Sequence, residues 1–378
     1  MKISFRHFIP LILLAAFIVY YKTSEDKPIN NNQKNAIMKE DLKVFTLTNK
    51  NGNQVKITNY GAKVMSVIVP DKNGKKENVV LGYSSAEQYL DGNPYFGAII
   101  GRYANRIANG QFILDGEEYQ LNRNNGNNHL HGGPGGFHNV LWETRKFQDD
   151  QAEALELTYY SNDGEEGYPG NLAVKVIYTW SDENELQIRY SAITDRKTIV
   201  NLTHHSFFNL KDGGRSNILD HKLMINADYF TPVTEQLIPT GEIRNVDGTP
   251  MDFREMHPIK ENINEVYEQL EYGNGYDHNY VLTKKDSQLA LAARVYEPST
   301  KRAMEVYTDT PGMQFYSGNS LDGSDKTKEG LSYESRSGLC LEAQHYPDSP
   351  NQPGFPSVIL NPGEEYNQTT IYKFYVKE

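Results

Sequence analysis

From about Leu42 onward, apolar and polar positions alternate with a period of two in short runs, the pattern of strands that bury one face. The clearest runs are Lys175-Val176-Ile177-Tyr178-Thr179-Trp180 and Glu185-Leu186-Gln187-Ile188-Arg189-Tyr190. Ser181-Asp182-Glu183-Asn184 lies between them as a hairpin turn. The same pattern predicts strands at Val44–Thr48, Gln54–Thr58, Lys63–Val69, Asn78–Leu81, Trp142–Phe147, Ala154–Tyr160, Ala173–Trp180, Glu185–Ala192, Tyr280–Leu282, Ala290–Val295, Ala303–Thr308, Met313–Tyr316 and Thr370–Val376. Turn residues recur at short intervals, as in Asn51-Gly52, Lys72-Asn73-Gly74 and Leu114-Asp115-Gly116. Helix signals are few and short, the plainest being Ser84–Leu90, opened by Ser84 or Ser85. Many short strands without long helices between them predict an all-β fold, an antiparallel sandwich or barrel and not an α/β fold. No fixed-period repeat and no second linker divides the body, so residues 41–378 are read as one domain.

The pattern is different at the start of the chain. Met1 to His7 form a basic stretch, and Phe8 to Tyr21 an apolar run of 14 residues, short of the roughly 20 needed to span a bilayer. Residues 1–22 therefore read as a signal peptide or N-terminal anchor, which predicts an exported protein, periplasmic or anchored facing out. No small-x-small cleavage site follows the run, so an uncleaved anchor stays open, and this segment is the sole predicted attachment to a membrane. Residues 23–40, with Asn30-Asn31-Asn32, read as a polar disordered tether.

Charge and cysteine content narrow the classes. The 378 residues carry a net charge of −11, and the first 22 hold three cations and no acid, which leaves −14 on the rest. Such a surface argues against nucleic-acid binding, which needs clustered Lys and Arg. The single cysteine, Cys340, has no partner for an intramolecular disulfide, and its neighbours Gly338, Leu339 and Leu341 mark it as a small buried apolar residue, not a nucleophile. No Cys/His spacing suits zinc, and no Walker or Gly-rich dinucleotide motif is present.

Six segments are polar in ways a core does not need. In Val200-Asn201-Leu202-Thr203-His204-His205-Ser206, a strand runs into two adjacent histidines, only one of which can face a given cleft. Gly101 to Ile107 carries Arg102 and Arg106 among small residues. Asn127 to Gly133 sets His129 and His131 against glycines. Asp277 and His278 stand at the mouth of a strand, and Gln314 lies between aromatics. Glu342 ends an apolar strand, where a carboxylate is costly unless paired or used. Each also has a plain structural reading. Either histidine of the pair is a satisfied strand end, Arg102 a surface ion-pair residue, His129 a turn residue, Asp277 a turn cap and Glu342 a solvated strand end.

Taken together these segments resemble the aldose 1-epimerases (galactose mutarotases), from about Val44 to Val376. The shared motifs, in order, are Asn59-Tyr60-Gly61-Ala62, Gly101 to Ile107, Leu130-His131-Gly132-Gly133, Asn201 to Leu210, Tyr276-Asp277-His278-Asn279 and Glu342-Ala343-Gln344. Tyr103 and His204 are minor departures, and the N-terminal export segment is the larger one. The resemblance implies a large antiparallel β-sandwich with few short helices, an open sugar cleft, and no metal or other cofactor. It implies Glu342 as general base and His205 as general acid. Arg106, His131, Asp277 and Gln314, with Asn105 beside them, are implied as binding residues for a small aldose. The protein would be a monomer or homodimer.

These residue types suit the interconversion of sugar anomers, in which one group takes a proton from the C1 hydroxyl while another gives one to the ring oxygen. A carboxylate of ordinary pKa, about 4.3, is ionised at neutral pH and serves as base. An imidazole near about 6.5 needs help to stay protonated, and Asp277 placed near His205 would give it. Phe315 or Tyr276 is the candidate ring to pack under the sugar. A glycoside hydrolase would need two carboxylates flanking the bond, and a sugar-phosphate epimerase more cations than Arg102 and Arg106. A sugar-binding module would need neither an acid nor a base.

Overall fold

The computed structural model describes residues 39–149, 152–285, 287–326 and 330–378. The predicted signal or anchor, and the tether up to residue 38, lie outside the described residues. Every strand pairing between named strands is antiparallel, and three sheets dominate. The largest has nine strands, in the order Glu143–Asp149, Ala152–Ser161, Leu172–Trp180, Glu185–Thr194, Tyr366–Val376, Arg302–Thr308, Ala290–Tyr296, Lys222–Ile225 and His257–Pro258. A five-stranded sheet runs Arg244–Asn245, Tyr229–Thr231, Asp277–Val281, Gly312–Tyr316, Cys340–Gln344. A four-stranded sheet uses Val44–Thr48, Gln54–Thr58, Val64–Pro70 and Lys76–Asn78. This is the all-β antiparallel architecture that the alternation predicts.

The period-two pattern explains how the layers meet. Along Leu172–Trp180, the side chains of Val174, Val176, Tyr178 and Trp180 share one face and are all fully buried, while Lys175 and Ile177 on the other face are partly exposed. The inward face packs into one continuous core with Val55, Ile57 and Val67 of the four-stranded sheet and Met313, Phe315 and Leu341 of the five-stranded sheet. The polar tips of the large inward side chains are satisfied across the layers. Trp180 Nε1 donates to the Asn53 carbonyl at 3.0 Å, Tyr178 Oη to the Ala62 carbonyl at 2.9 Å, and Tyr372 Oη to the Leu341 carbonyl at 3.0 Å. Gln368 Nε2 donates to the Ala343 carbonyl at 3.1 Å. The last two bonds fix the Cys340–Gln344 strand to the nine-stranded sheet from beneath.

Most predicted strands agree with the structure to within a few residues at each end. Two predictions do not hold. The run Asn78–Leu81 contributes only Asn78 to a strand. Val79, Val80 and Leu81 continue as a buried segment tied to the Phe207–Asn209 stretch, with Leu81 N–H donating to Phe207 O and Asn209 N–H to Val79 O, both at 2.9 Å. The helix expected over Ser84–Leu90 is a single 3₁₀ turn at Glu87–Leu90. Its entry is closed by Gln88, whose Oε1 accepts the N–H groups of Ser84 and Ser85 at 3.0 and 3.1 Å. The one α-helix among the described residues, Glu268–Gly273, ends at Asn274 in the left-handed conformation (φ 51°). Its single short turn-and-a-half gives too little periodicity to be read from the sequence.

Candidate active site

Glu342 is the middle residue of Cys340–Gln344, at the edge of the five-stranded sheet. The register places Asn279, Gln314 and Glu342 side by side across three strands, with Asp277, Tyr316 and Cys340 in the next row on the same face. The free edge of this sheet faces Thr203–His205, a three-residue strand paired with Ala98–Ile100 so that His205 stands opposite Ala98. The His205 carbonyl accepts the Gly97 N–H at 3.0 Å. Alternation then separates the two histidines. His204 turns into the core against Tyr178 and Tyr372, with its Nε2 2.7 Å from Ser206 Oγ. His205 turns to the cleft, where its Nε2 lies 3.5 Å from Glu342 Oε1.

A third wall carries Arg106 on the short strand Arg106–Ile107 and His131 in the turn that follows its partner strand, His129–Leu130. Asn105 and His131 both adopt positive φ, 63° and 53°, a region that Asn and His enter more readily than most residues. They hold each other: Asn105 N–H donates to His131 Nδ1 at 3.2 Å, and His131 N–H donates to Asn105 O at 3.0 Å. Asn105 Oδ1 accepts the Arg106 N–H at 2.8 Å, and Arg106 Nε donates to Asn125 Oδ1 at 3.0 Å. Arg106 Nη1 then reaches Asp277 Oδ2 at 3.7 Å, and Gln314 Nε2 donates to Asp277 Oδ1 at 2.7 Å. The seven residues picked from the sequence, Asn105, Arg106, His131, His205, Asp277, Gln314 and Glu342, are thus linked into one cluster by these contacts and by the edge-to-face packing of the His131 and His205 rings, 5.1 Å apart.

Burial sets the electrostatics. It drives His205 down to about 4 and His204 down to about 3. His131 is held well below the ordinary imidazole value by burial first, then by the charges of His205 and Arg106. Burial pushes Glu342 well above the usual carboxylate range; Asp277 adds to the rise and Arg106 opposes it. Two expectations are therefore corrected. Asp277 is not among the groups that set the charge of His205, and its oxygens face Arg106 and Gln314. Nor is Glu342 a carboxylate of ordinary pKa. In the sugar-free cleft burial disfavours both the charged imidazole of His205 and the charged carboxylate of Glu342. Glu342 Oε2 and Gln314 Oε1 are buried with no hydrogen-bond partner among the described residues.

His131, His205 and Glu342 each place one potential ligand atom within 4.8 Å of the others. Two imidazoles and a carboxylate can hold a divalent ion, and the convergence of residues so distant in the chain was invisible to spacing rules. The proton of His131 speaks against a metal here. Its Nδ1 accepts a backbone N–H, so the neutral ring carries its proton on Nε2 and offers a donor, not a lone pair. That polarity fits a sugar oxygen.

Several other candidates fall outside the site or change place. Arg102 is neither a surface nor a cleft residue; it is buried, donating to the carbonyls of Pro169 and Gly170 at 2.9 and 2.8 Å and to Ser161 Oγ at 2.5 Å. His129 is structural, bridging the Asn122 carbonyl and Tyr168 Oη at 2.6 Å each. Phe315 and Tyr276 do not face a sugar, since they stack on each other inside the core with Phe253. The aromatic ring at the cleft is Tyr95, half-buried, stacked 5.6 Å from His205 and tilted over His131 at 4.9 Å. Its signal in the sequence is slight: an aromatic pair just before Gly97, in Pro94-Tyr95-Phe96-Gly97. Cys340 is buried as expected, yet its sulfur touches His205.

Comparison with known proteins places the chain in one family. The sequence profile of the family described as aldose 1-epimerase matches residues 43–373. The galactose mutarotase of Bos taurus is 48% identical over 323 residues, 85% of this chain and 91% of that protein. The aldose 1-epimerase of Escherichia coli K12 is 40% identical over 337 residues, 89% of this chain and 96% of that protein. Among solved structures, an aldose epimerase homologue from C. elegans superposes with a TM-score of 0.82 at 31% identity, covering 89% of this chain and all of that one. A galactose 1-epimerase from Lactobacillus acidophilus gives 0.77 at 30% identity, over 89% and 99% of the two chains.

Proposed function

Because the chain belongs to the aldose 1-epimerase family, whose members interconvert the α and β anomers of aldoses, we propose that Glu342 and His205 carry the two proton transfers of that reaction. Glu342 takes the proton of the C1 hydroxyl, the bond between C1 and the ring oxygen breaks, and His205 Nε2 gives its proton to that oxygen. The open aldehyde turns about the C1–C2 bond, and closure runs the two transfers backward on the other face. The observation that carries this reading is the facing of two buried, oppositely shifted groups at 3.5 Å. One proton between them makes either member available as acid or base, which a reversible reaction requires. Sugar hydroxyls that donate to the carboxylate favour its charged form and send the shared proton to His205.

The rest of the cluster is assigned to binding. Arg106 presents its planar guanidinium and His131 an N–H to sugar oxygens, and Asp277 and Gln314 accept or donate to hydroxyls. Asn105 sets the turn that aims Arg106 and His131. Much of the Arg106 charge is spent on Asp277, which leaves little for a phosphate, so free aldoses are the proposed substrates, with galactose and glucose first. Polarimetry tests this: on dissolving α-D-galactose, α-D-glucose, xylose or arabinose, the protein should hasten the drift to the same final rotation. An unchanged rate with every sugar would remove the assignment.

We also propose that the protein acts outside the cytoplasm, on the strength of the basic stretch and the 14-residue apolar run Phe8 to Tyr21. Cell fractionation that finds the native protein soluble in the cytosol would contradict it.

A further inference from the structure

Cys340 lies one row of the sheet from Glu342, and its sulfur is 3.5 Å from His205 Nδ1, the ring nitrogen that faces away from Glu342. We infer that Cys340 is a positioning residue that keeps Nδ1 of His205 hydrogen-bonded in both proton states of the ring, leaving Nε2 to exchange the proton. The inference rests on His205 acting as the acid of the proposed reaction.

The argument is one of polarity. A carboxylate at Nδ1 holds a histidine in its charged form, as in a Ser-His-Asp triad. A backbone N–H at Nδ1 holds it neutral, and the same site contains that case, since Asn105 N–H donates to His131 Nδ1. His205 has to alternate, because ring opening and closing use it in opposite directions. Because Nε2 is the nitrogen that exchanges, Nδ1 keeps its hydrogen in both states, and a thiol sulfur, a weak and uncharged acceptor, takes that hydrogen in both without pinning the ring in its charged form as a carboxylate would. The acceptor stays uncharged: Cys340 is wholly buried, and burial together with the charges of Glu342 and Asp277 pushes it well above its ordinary value. The other faces of the His205 ring are taken by Glu342 at Nε2, His131 edge-on, and Tyr95 and Phe207 at 5.6 and 5.1 Å. The other acceptor near Nδ1 is the histidine's own carbonyl, which also accepts the Gly97 N–H.

The test compares Cys340→Ala, Cys340→Val and Cys340→Ser with wild type and with His205→Asn. Ala and Val remove the partner, and Val restores its volume. Both should lower kcat about tenfold with little change in KM, the size of one hydrogen bond lost from the proton-transfer step. Ser, which donates and accepts, should recover most of the loss. A packing role predicts the reverse order, with Val tolerated best and Ser worst. Side-chain ¹⁵N spectra of histidine-labelled protein read the same contact without turnover: the His205 Nδ1 signal should move in the Ala variant and return toward wild type in Ser. Wild-type kcat and an unmoved Nδ1 signal in Cys340→Ala, with His205→Asn inactive, would overturn the inference alone. Retained turnover in His205→Asn would overturn the acid assignment beneath it.

Discussion

Glu342 has one oxygen facing an imidazole and the other, Oε2, with no donor among the described residues, an arrangement that a merely structural carboxylate rarely keeps when buried. Its candidacy was legible in the sequence because an acid at the end of an apolar run is costly without a purpose. The role of Asp277 was legible only in part. Its membership of the site followed from the motif, but its partners, Arg106 and Gln314, depend on a register across three strands that no local pattern reveals. The difference changes the expected pH profile. The limbs of kcat/KM belong to the Glu342–His205 pair. Below about pH 4 the lowered His205 takes up the second proton, which sets the acid limb. The alkaline limb is loss of the single shared proton and follows the raised Glu342. Asp277 raises Glu342 by like-charge repulsion, so Asp277→Asn should move the alkaline limb to lower pH and raise KM. A turn-capping role predicts lower stability with the limb unmoved, and the kcat/KM profile of the two proteins tells these apart.

At the scale of elements, the long strands of the nine-stranded sheet were readable and the short ones that hold the site were not. Leu172–Trp180 and Glu185–Thr194 repeat their alternation over nine and ten residues. Arg106–Ile107, His129–Leu130 and Thr203–His205 are two or three residues long, too short for a period to appear, and each is fixed by a partner distant in sequence. What the sequence did offer there was glycine beside histidine. Gly132 has φ 82°, and a Cβ on it would lie 1.8 Å from the Gly101 carbonyl oxygen. Gly132→Ala should therefore cost at least about 2 kcal/mol in denaturant unfolding and displace His131. KM should rise about tenfold or more. A variant with wild-type stability and KM would show that this turn does not seat His131.

The whole molecule surrounds a polar cleft with neutral histidines held inside an apolar frame. His129, His205, His221 and His345 are lowered to about 4, and His204 and His278 to about 3, in each case chiefly by burial. A group whose folded pKa lies below its unfolded value of about 6.5 contributes stability that is complete above that value and is lost as pH falls toward the folded pKa. Glu165, raised by burial to about 7, and Glu342 act in the opposite sense, gaining as they protonate. Seven lowered histidines, His131 among them, outweigh the raised carboxylates of Glu165, Glu342, Glu166, Asp309 and Asp348, so the melting temperature should be level from about pH 8 to 6.5 and then decline to about pH 4. A level or rising melting temperature across that interval would mean that the histidines are not buried as neutral rings. The sequence indicated the frame, through its alternation and its resemblance, but it did not indicate this dependence, because burial of a histidine is a property of the assembled layers.

The central claim is that Glu342 and His205 act as one proton-exchanging unit in the interconversion of aldose anomers. The most direct measurement is kcat for mutarotation of α-D-galactose by Glu342→Gln, His205→Asn and the double variant, each shown to be folded. Each single change should lower kcat by at least about 10²-fold, and the double variant should be little worse than either single one, because a unit that has lost one member has little left to lose. Near-normal turnover in either single variant, or two losses that multiply in the double one, would contradict the claim.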